Sequence, residues 1–245
     1  MIEQHIDIAT KDGAMNCFIT YPEEGGSHPL VIFAMDAPGK REELHEMARR
    51  IASVGYYVVL PNLYYRNVRE FHMYMEGVTR ELMFEQMSAL SNDLFCEDTQ
   101  SILDFVEGLD EVSKGPAGIV GYCMSGPFAV AAAGRFPDRF KAAASFHGIK
   151  LITEEPDSPH LAAEKMSGEL YVGCAETDAW APPEMIEALD THLKTTSCNY
   201  RIEWYAGTEH GFVFPGRGEI YDREAAERHW ERLFALFDRN LRVHA

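Results

Sequence analysis

The sequence predicts an α/β fold: a mostly parallel central sheet with helices on both faces and an antiparallel edge at the N-terminus. Three observations predict it. Short continuous apolar runs, such as Leu30 to Ala34 and Ala117 to Val120, have the length of strands buried on both faces. Segments with apolar residues at helical spacing alternate with those runs, as βαβ units require. Residues 2–21 alternate apolar and polar positions around Lys11-Asp12-Gly13, the pattern of a hairpin at a sheet edge.

Each element follows from local chemistry. After a Pro/Gly loop from Pro22 to Pro29, the strand Leu30 to Ala34 ends at Met35-Asp36-Ala37-Pro38-Gly39. Leu44, Met47, Ala48, Ile51, Ala52 and Val54 then recur at helical spacing, and Gly55 closes that helix. Tyr56 to Leu60 is the next strand, stopped by Pro61. From Asn62 to Asn92 no clean period exists; methionines and aromatics interleave in an insertion or lid, read as packing over the core in preference to lining a pocket. Asp93 to Leu109 is helical through Leu94, Thr99, Ile102, Leu103 and Val106. Lys141 to Phe146 and Glu169 to Cys174 are strands separated by a polar, Pro-containing loop. Pro182-Pro183 start a helix through Met185, Ile186, Leu189 and Leu193. Tyr200 to Tyr205 is the last strand, and Glu224 to Asn240 closes the chain as a helix with Ala225, Ala226, Trp230, Leu233, Phe234 and Phe237 facing the core.

Bulk properties narrow the function. A chain of 245 residues can bury one large core, so residues 1–245 are expected to form a single domain. A net charge of -17 argues against nucleic acid and anionic membranes as partners, since both need a basic face. No stretch approaches the ~18 consecutive apolar residues of a membrane span. Met1-Ile2-Glu3-Gln4-His5 lacks the basic start of a signal peptide. Five cysteines without a C-x-x-C pair suggest reduced thiols in the cytoplasm. No histidine pair or cysteine cluster has metal-ligand spacing, and nothing resembles a phosphate loop, so no metal or cofactor is expected.

The chemistry concentrates at Gly121-Tyr122-Cys123-Met124-Ser125-Gly126, where a buried strand turns into a helix. This is the pattern of a nucleophile elbow: the flanking glycines make room where strand and helix cross, and the helix N-terminus favours a thiolate. A buried, inert cysteine is the competing reading of so short a motif. Sites in parallel sheets collect at the carboxyl ends of strands, and Asp36, Cys123, Asp178 and His210 all fall there. A thiol needs a base, and the base an orienting acid. His210, followed by Gly211-Phe212, is the expected base, and Asp178 is preferred as orienter over Glu176, too early off its strand, and Asp190, inside a helix. The N–H groups of Met124 and Ala37 are the expected oxyanion hole. Asp36 beside that hole is costly to bury unless paired or used; capping the following helix is its alternative role. His147 either contacts substrate or is a structural histidine of the pocket wall. Tyr64, Tyr65 and Arg66 open the aperiodic region and could reach the site, with a solvated Arg66 the competing reading.

With these residues in place, the sequence resembles the dienelactone hydrolase family, the cysteine-using branch of the α/β-hydrolases. The likeness runs through Met35-Asp36-Ala37-Pro38-Gly39, Gly55-Tyr56-Tyr57-Val58-Val59-Leu60-Pro61-Asn62-Leu63-Tyr64, the elbow, the Asp178 loop and His210-Gly211-Phe212. It implies an α/β-hydrolase fold, Cys123 as nucleophile, His210 as base, Asp178 as its orienter, and Asp36 as an acid controlling the thiol. The implied reaction is hydrolysis of a small-molecule activated ester or lactone, carboxymethylenebutenolide-like, through an acyl-cysteine. The family pattern has glutamate where Asp36 stands and an arginine shortly after the histidine for a substrate carboxylate. Here Arg217 is the first arginine after His210, and Arg80 is the candidate for the other carboxylate contact. A carboxylesterase, a thioesterase or a non-catalytic ligand-binding relative are the rival expectations.

Overall fold

The computed structural model describes residues 1–242. Eight strands form one sheet in the order β1-β2-β4-β3-β5-β6-β7-β8. The hairpin of β1 (Ile2–Thr10) and β2 (Gly13–Tyr21) is antiparallel, and β2 joins β4 (Tyr57–Pro61) antiparallel as well. From β4 through β3 (Leu30–Ala34), β5 (Ala117–Tyr122), β6 (Phe140–Phe146), β7 (Glu169–Thr177) and β8 (Asn199–Glu209), every pairing is parallel. The expected mostly parallel sheet with an antiparallel N-terminal edge is therefore the observed one. The strands β3, β4 and β5 are buried at every position, which is why their sequences are continuous apolar runs with no alternation.

Helices cover both faces, and β5 shows how. A Cβ on Gly118 would strike Phe237 and Leu241 at 2.9 Å, and the Tyr122 hydroxyl meets His229 Nε2 at 2.7 Å; all three partners belong to α7 (Arg223–Leu241). Gly121, of opposite parity, faces the turn that begins α4 (Gly126–Arg135). The helix α1 (Glu42–Ser53) shares the α7 face, where Arg50 pairs with Glu227. On the other face α3 (Asn92–Glu107) packs beside α4, followed by α5 (Pro159–Ala163) and α6 (Pro183–Leu193). Among the described residues no helix is long and apolar enough to cross a membrane.

Three local findings depart from the sequence expectations. The polar loop before β7 contains α5, whose five residues are too few to show a period; Gly134 of α4 is required there, because a Cβ would lie 2.1 Å from the Ala162 carbonyl oxygen. Tyr65 and Arg66 do not reach the cleft: the Tyr65 hydroxyl donates to Asp98 at 2.8 Å and the Arg66 guanidinium pairs with the same buried carboxylate at 2.7 Å. The α7 stripe includes His229, fully buried between Tyr122 and the Ala226 carbonyl.

The aperiodic segment holds α2 (Arg80–Ser88), capped by the Thr79 hydroxyl accepting from Leu82 N–H, with no fully buried residue. Its lead-in is fixed to the loop after β3. Met73 N–H donates to the Pro38 carbonyl at 2.8 Å, and Gly39 (φ 92°) passes so close to Phe71 that a Cβ would sit 2.3 Å from its carbonyl oxygen.

Candidate active site

Strand order reverses between β3 and β5: the chain leaves β3 for β4 on one side, then returns to β5 on the other. The crevice at the carboxyl ends of those two strands is the topological switch point, where open α/β sheets place their sites. Cys123 follows β5 there, with φ of 54°, a left-handed conformation that a non-glycine residue adopts only when its surroundings hold it. The surroundings are specific. The Ser125 hydroxyl accepts from Tyr122 N–H at 2.9 Å and lies 2.9 Å from the Ala34 carbonyl, tying the elbow to β3. Gly121 and Gly126 supply the clearance: added Cβ atoms would stand 2.0 Å from the Ser125 carbonyl oxygen and 2.5 Å from Gly148 Cα. Cys123 itself is partly exposed, whereas Cys17, Cys96, Cys174 and Cys198 are buried.

The loop after β8 brings His210 to the same place. Its Nδ1 lies 2.7 Å from Asp178 Oδ2, and the other carboxylate oxygen accepts from the N–H groups of Trp180 and Ala181 at 2.8 and 3.0 Å. Both oxygens of Asp178 are thus engaged and its orientation is fixed. The remaining ring nitrogen, Nε2, is buried and has no hydrogen-bond partner among the described residues. Cys123 and His210 line the same cavity. Burial by itself lowers the His210 pKa, but the hydrogen bond to Asp178 and then the interaction with Cys123 outweigh it, raising the pKa to about 9. The imidazolium form of His210 is thereby favoured. Of the other acids considered, Glu176 accepts from Gly207 N–H at 2.6 Å on the surface, and Asp190 pairs with Lys194 and Tyr200.

Ala37, on the loop after β3, lines the cavity that Cys123 lines, and Met124 follows Cys123 on the elbow. The Ala37 N–H has no partner among the described residues, and its carbonyl accepts from the Tyr64 hydroxyl at 2.8 Å. Tyr64, expected at the substrate, instead lies fully buried behind this loop and supports it from beneath. His147, for which substrate contact and a place in the pocket wall were the two readings, lies behind the cleft and takes the second. Its ring is buried, with φ of 38°, and stands almost perpendicular to that of His210 at 4.8 Å between centroids. Burial, followed by the charges of His210 and Arg217, holds its pKa well below the ordinary value, so it forms a neutral wall.

Asp36 is placed differently from the role that the family likeness implies. Its carboxylate is buried, with Oδ1 2.5 Å from Arg41 Nη1 and Oδ2 facing Arg41 and Arg217 at 3.2 and 3.3 Å. Both oxygens are committed to guanidinium groups and no bond to Cys123 is made. Arg41 is in turn shared with Glu43, whose other oxygen accepts from Gly216 N–H. This cluster joins the loop after β3 to the loop after β8. Arg41 was missed from the sequence, although an arginine five residues beyond a buried acid was the available signal.

A cavity of about 280 Å³ opens over Cys123 and His210. Arg80 and Arg217 line it, and Met83, Phe84 and Met87 of α2 form the wall opposite, with Trp180. The methionines and aromatics of the aperiodic segment therefore line a pocket as well as packing on the core, in contrast to the packing reading preferred from the sequence. Arg80 makes no ion pair among the described residues; its guanidinium lies 5.5 Å from the centre of the Phe84 ring. Arg217 keeps its Nε buried and, among the described residues, unpartnered. Among the described residues no cluster of three or more His, Cys, Asp or Glu could hold a metal ion.

The model of the dienelactone hydrolase family matches residues 15–241. The chain belongs to the dienelactone hydrolase family. This family member is an ester hydrolase of that kind, with the α/β-hydrolase fold. It is 26% identical over 234 residues to a protein of Synechocystis sp. named "Putative carboxymethylenebutenolidase", covering 92% of each chain. Its fold matches that of a Klebsiella pneumoniae protein titled "Putative Dienelactone Hydrolase" with a TM-score of 0.84 at 21% identity, covering 96% of this chain and 98% of that one. A dienelactone hydrolase-like promiscuous phosphotriesterase from metagenomic libraries superposes with a TM-score of 0.82 at 17% identity, over 98% of both chains.

Proposed function

We propose that this chain hydrolyses an activated small-molecule ester or lactone, carboxymethylenebutenolide-like, through an acyl-cysteine intermediate. The observation that carries the reading is the disposition of His210: Nδ1 held by a doubly anchored Asp178, and Nε2 buried, unpaired among the described residues and lining the same cavity as Cys123. In the proposed cycle the Cys123 thiolate attacks the carbonyl carbon, a C–S bond forms, and the oxygen becomes an anion at the N–H groups of Ala37 and Met124. Collapse breaks the C–O bond, and the leaving oxygen takes the proton from Nε2 of the His210 imidazolium. Water then attacks the thioester while neutral His210 takes its proton. The C–S bond breaks, and the thiolate–imidazolium pair is restored with release of the acid.

The cationic side of the pocket supports a substrate carrying a carboxylate. Arg80 is without an ion-pair partner among the described residues and Arg217 is only singly engaged, so an anion entering the cavity meets two guanidinium groups. Asp36 serves this reading as the group that positions Arg217. Five free cysteines, four of them buried, support a reducing compartment such as the cytoplasm.

The test is mass spectrometry after rapid quenching with an activated lactone or 4-nitrophenyl ester. An acyl adduct on the peptide containing Cys123, absent from Cys123→Ala, is expected. Hydrolysis undiminished in Cys123→Ala overturns the proposal.

A further inference from the structure

A second cavity, of about 460 Å³, adjoins the one over Cys123. The two share Phe84, Met87, Ile149 and Trp180 as a common wall, with the rings of Phe84 and Trp180 6.0 Å apart. Ligand sites for small molecules run from about 300 to 1,000 Å³. The first cavity alone falls just below that range, and the pair lies well inside it. The side of the elbow on which the second cavity opens decides its use. Its floor is Met124, directly after Cys123, with Pro127 and Phe128 of the first turn of α4; His210, Arg80 and Arg217 do not line it.

We infer that this second cavity is an acyl subsite that takes an uncharged apolar arm, aliphatic or aryl, on the carbonyl side of the scissile ester. The inference rests on the proposed acyl-cysteine reading. In that chemistry His210 must reach the leaving oxygen, so the leaving group occupies the side of the cleft that His210 lines. The acyl group stays bonded to sulfur and extends past the oxyanion position, toward Met124. Met124, Phe128, Ile149 and Trp180 present an apolar surface there. At the rim, Lys150 is outnumbered by Glu155 and Asp157, an arrangement that disfavours an anionic arm. The substrate is therefore longer than a single lactone ring, with polar contacts on the His210 side and a hydrophobic extension on the elbow side.

The experiment is a chain-length series of 4-nitrophenyl esters, acetate to octanoate, on the whole protein. Each methylene that leaves water for the cavity is expected to raise kcat/KM by about fourfold, so hexanoate exceeds butyrate by roughly fifteenfold. Leu90→Asp, which puts a charge into the second cavity, is expected to bring the hexanoate-to-acetate ratio down at least tenfold. A direct readout does not depend on turnover: hexanamide, an unreactive isostere, should change Trp180 fluorescence saturably in the unmodified protein and in Cys123→Ala. A flat chain-length profile with no fluorescence response overturns the subsite even where acyl-Cys123 forms. Saturable binding without any acyl-Cys123 would overturn the assignment to the acyl side and, separately, the proposed chemistry.

Discussion

Replacing Asp178 with asparagine interrogates the proton relay where it is most exposed to failure. His210 stands at about 9 against 6.5 for a free imidazole, with burial opposing the rise and Asp178 its largest support. One pKa unit corresponds to about 1.36 kcal/mol, so the net preference for imidazolium is on the order of 3 kcal/mol. Asparagine preserves the shape and can still accept from the N–H groups of Trp180 and Ala181, but it removes the anion at Nδ1. Burial then dominates. The alkaline limb of the pH–rate profile, where the leaving group loses its proton donor as pH rises through about 9, should move at least one unit toward neutrality, and kcat should fall on the order of 10⁴-fold, as for a triad whose orienting acid is neutralised. Alkylation by iodoacetamide gives a second profile. Cys123 is the thiol that should report, because burial pushes Cys96 and Cys174 up to about 12 and Cys198 up to about 11. An alkaline limb unmoved near 9, with kcat within tenfold of the parent, would refute the relay.

Two further outcomes follow from buried charge. Asp36→Asn removes the carboxylate that both Arg41 and Arg217 face; leaving a buried ion unpaired costs about 3–5 kcal/mol, and since Glu43 still accompanies Arg41 the loss in urea denaturation should fall near the lower end. A loss under ~1 kcal/mol would show Glu43 to be sufficient by itself. His229 is held neutral chiefly by burial, at about 3 against 6.5 when unfolded. Between those values only the unfolded chain takes up this proton, so stability is full above pH 6.5 and falls by about 1.36 kcal/mol per unit as pH drops toward 3. His229→Asn should flatten that slope by one proton relative to the parent, and equal slopes in the two proteins would contradict it.

Residues whose positions are set by strand order could be read from the chain, and residues whose positions are set by packing could not. Cys123, Asp178 and His210 each end a parallel strand, so a correct alternation of strands and helices was enough to bring them to one edge. Gly121 and Gly126 were legible for a related reason: the elbow leaves no space for a Cβ. Tyr64 and His147 sit at strand ends too, yet they lie behind the cleft, because which side of a loop a ring takes depends on neighbours distant in sequence. The segment containing α2 gave no period because this helix carries apolar groups toward the cavities and buries none fully.

The Asp36 cluster shows what a carboxylate at the mouth of a buried strand can do without touching the sulfur. An isolated ion there would be expensive, and the expense disappears only if a cation is buried with it. Arg41 comes from the loop that carries Ala37, and Arg217 from the loop that follows His210. One acid thereby fixes the loop bearing Ala37 relative to the loop that follows His210, the two parts whose separation the proposed mechanism needs held while charge moves between sulfur and oxygen. Glu43 extends the same restraint to the backbone at Gly216. Because Oδ2 of Asp36 is the group holding Arg217, a substrate carboxylate of the proposed kind would compete with Asp36 for that guanidinium and so couple anion binding to the spacing of these two loops through a single shared ion.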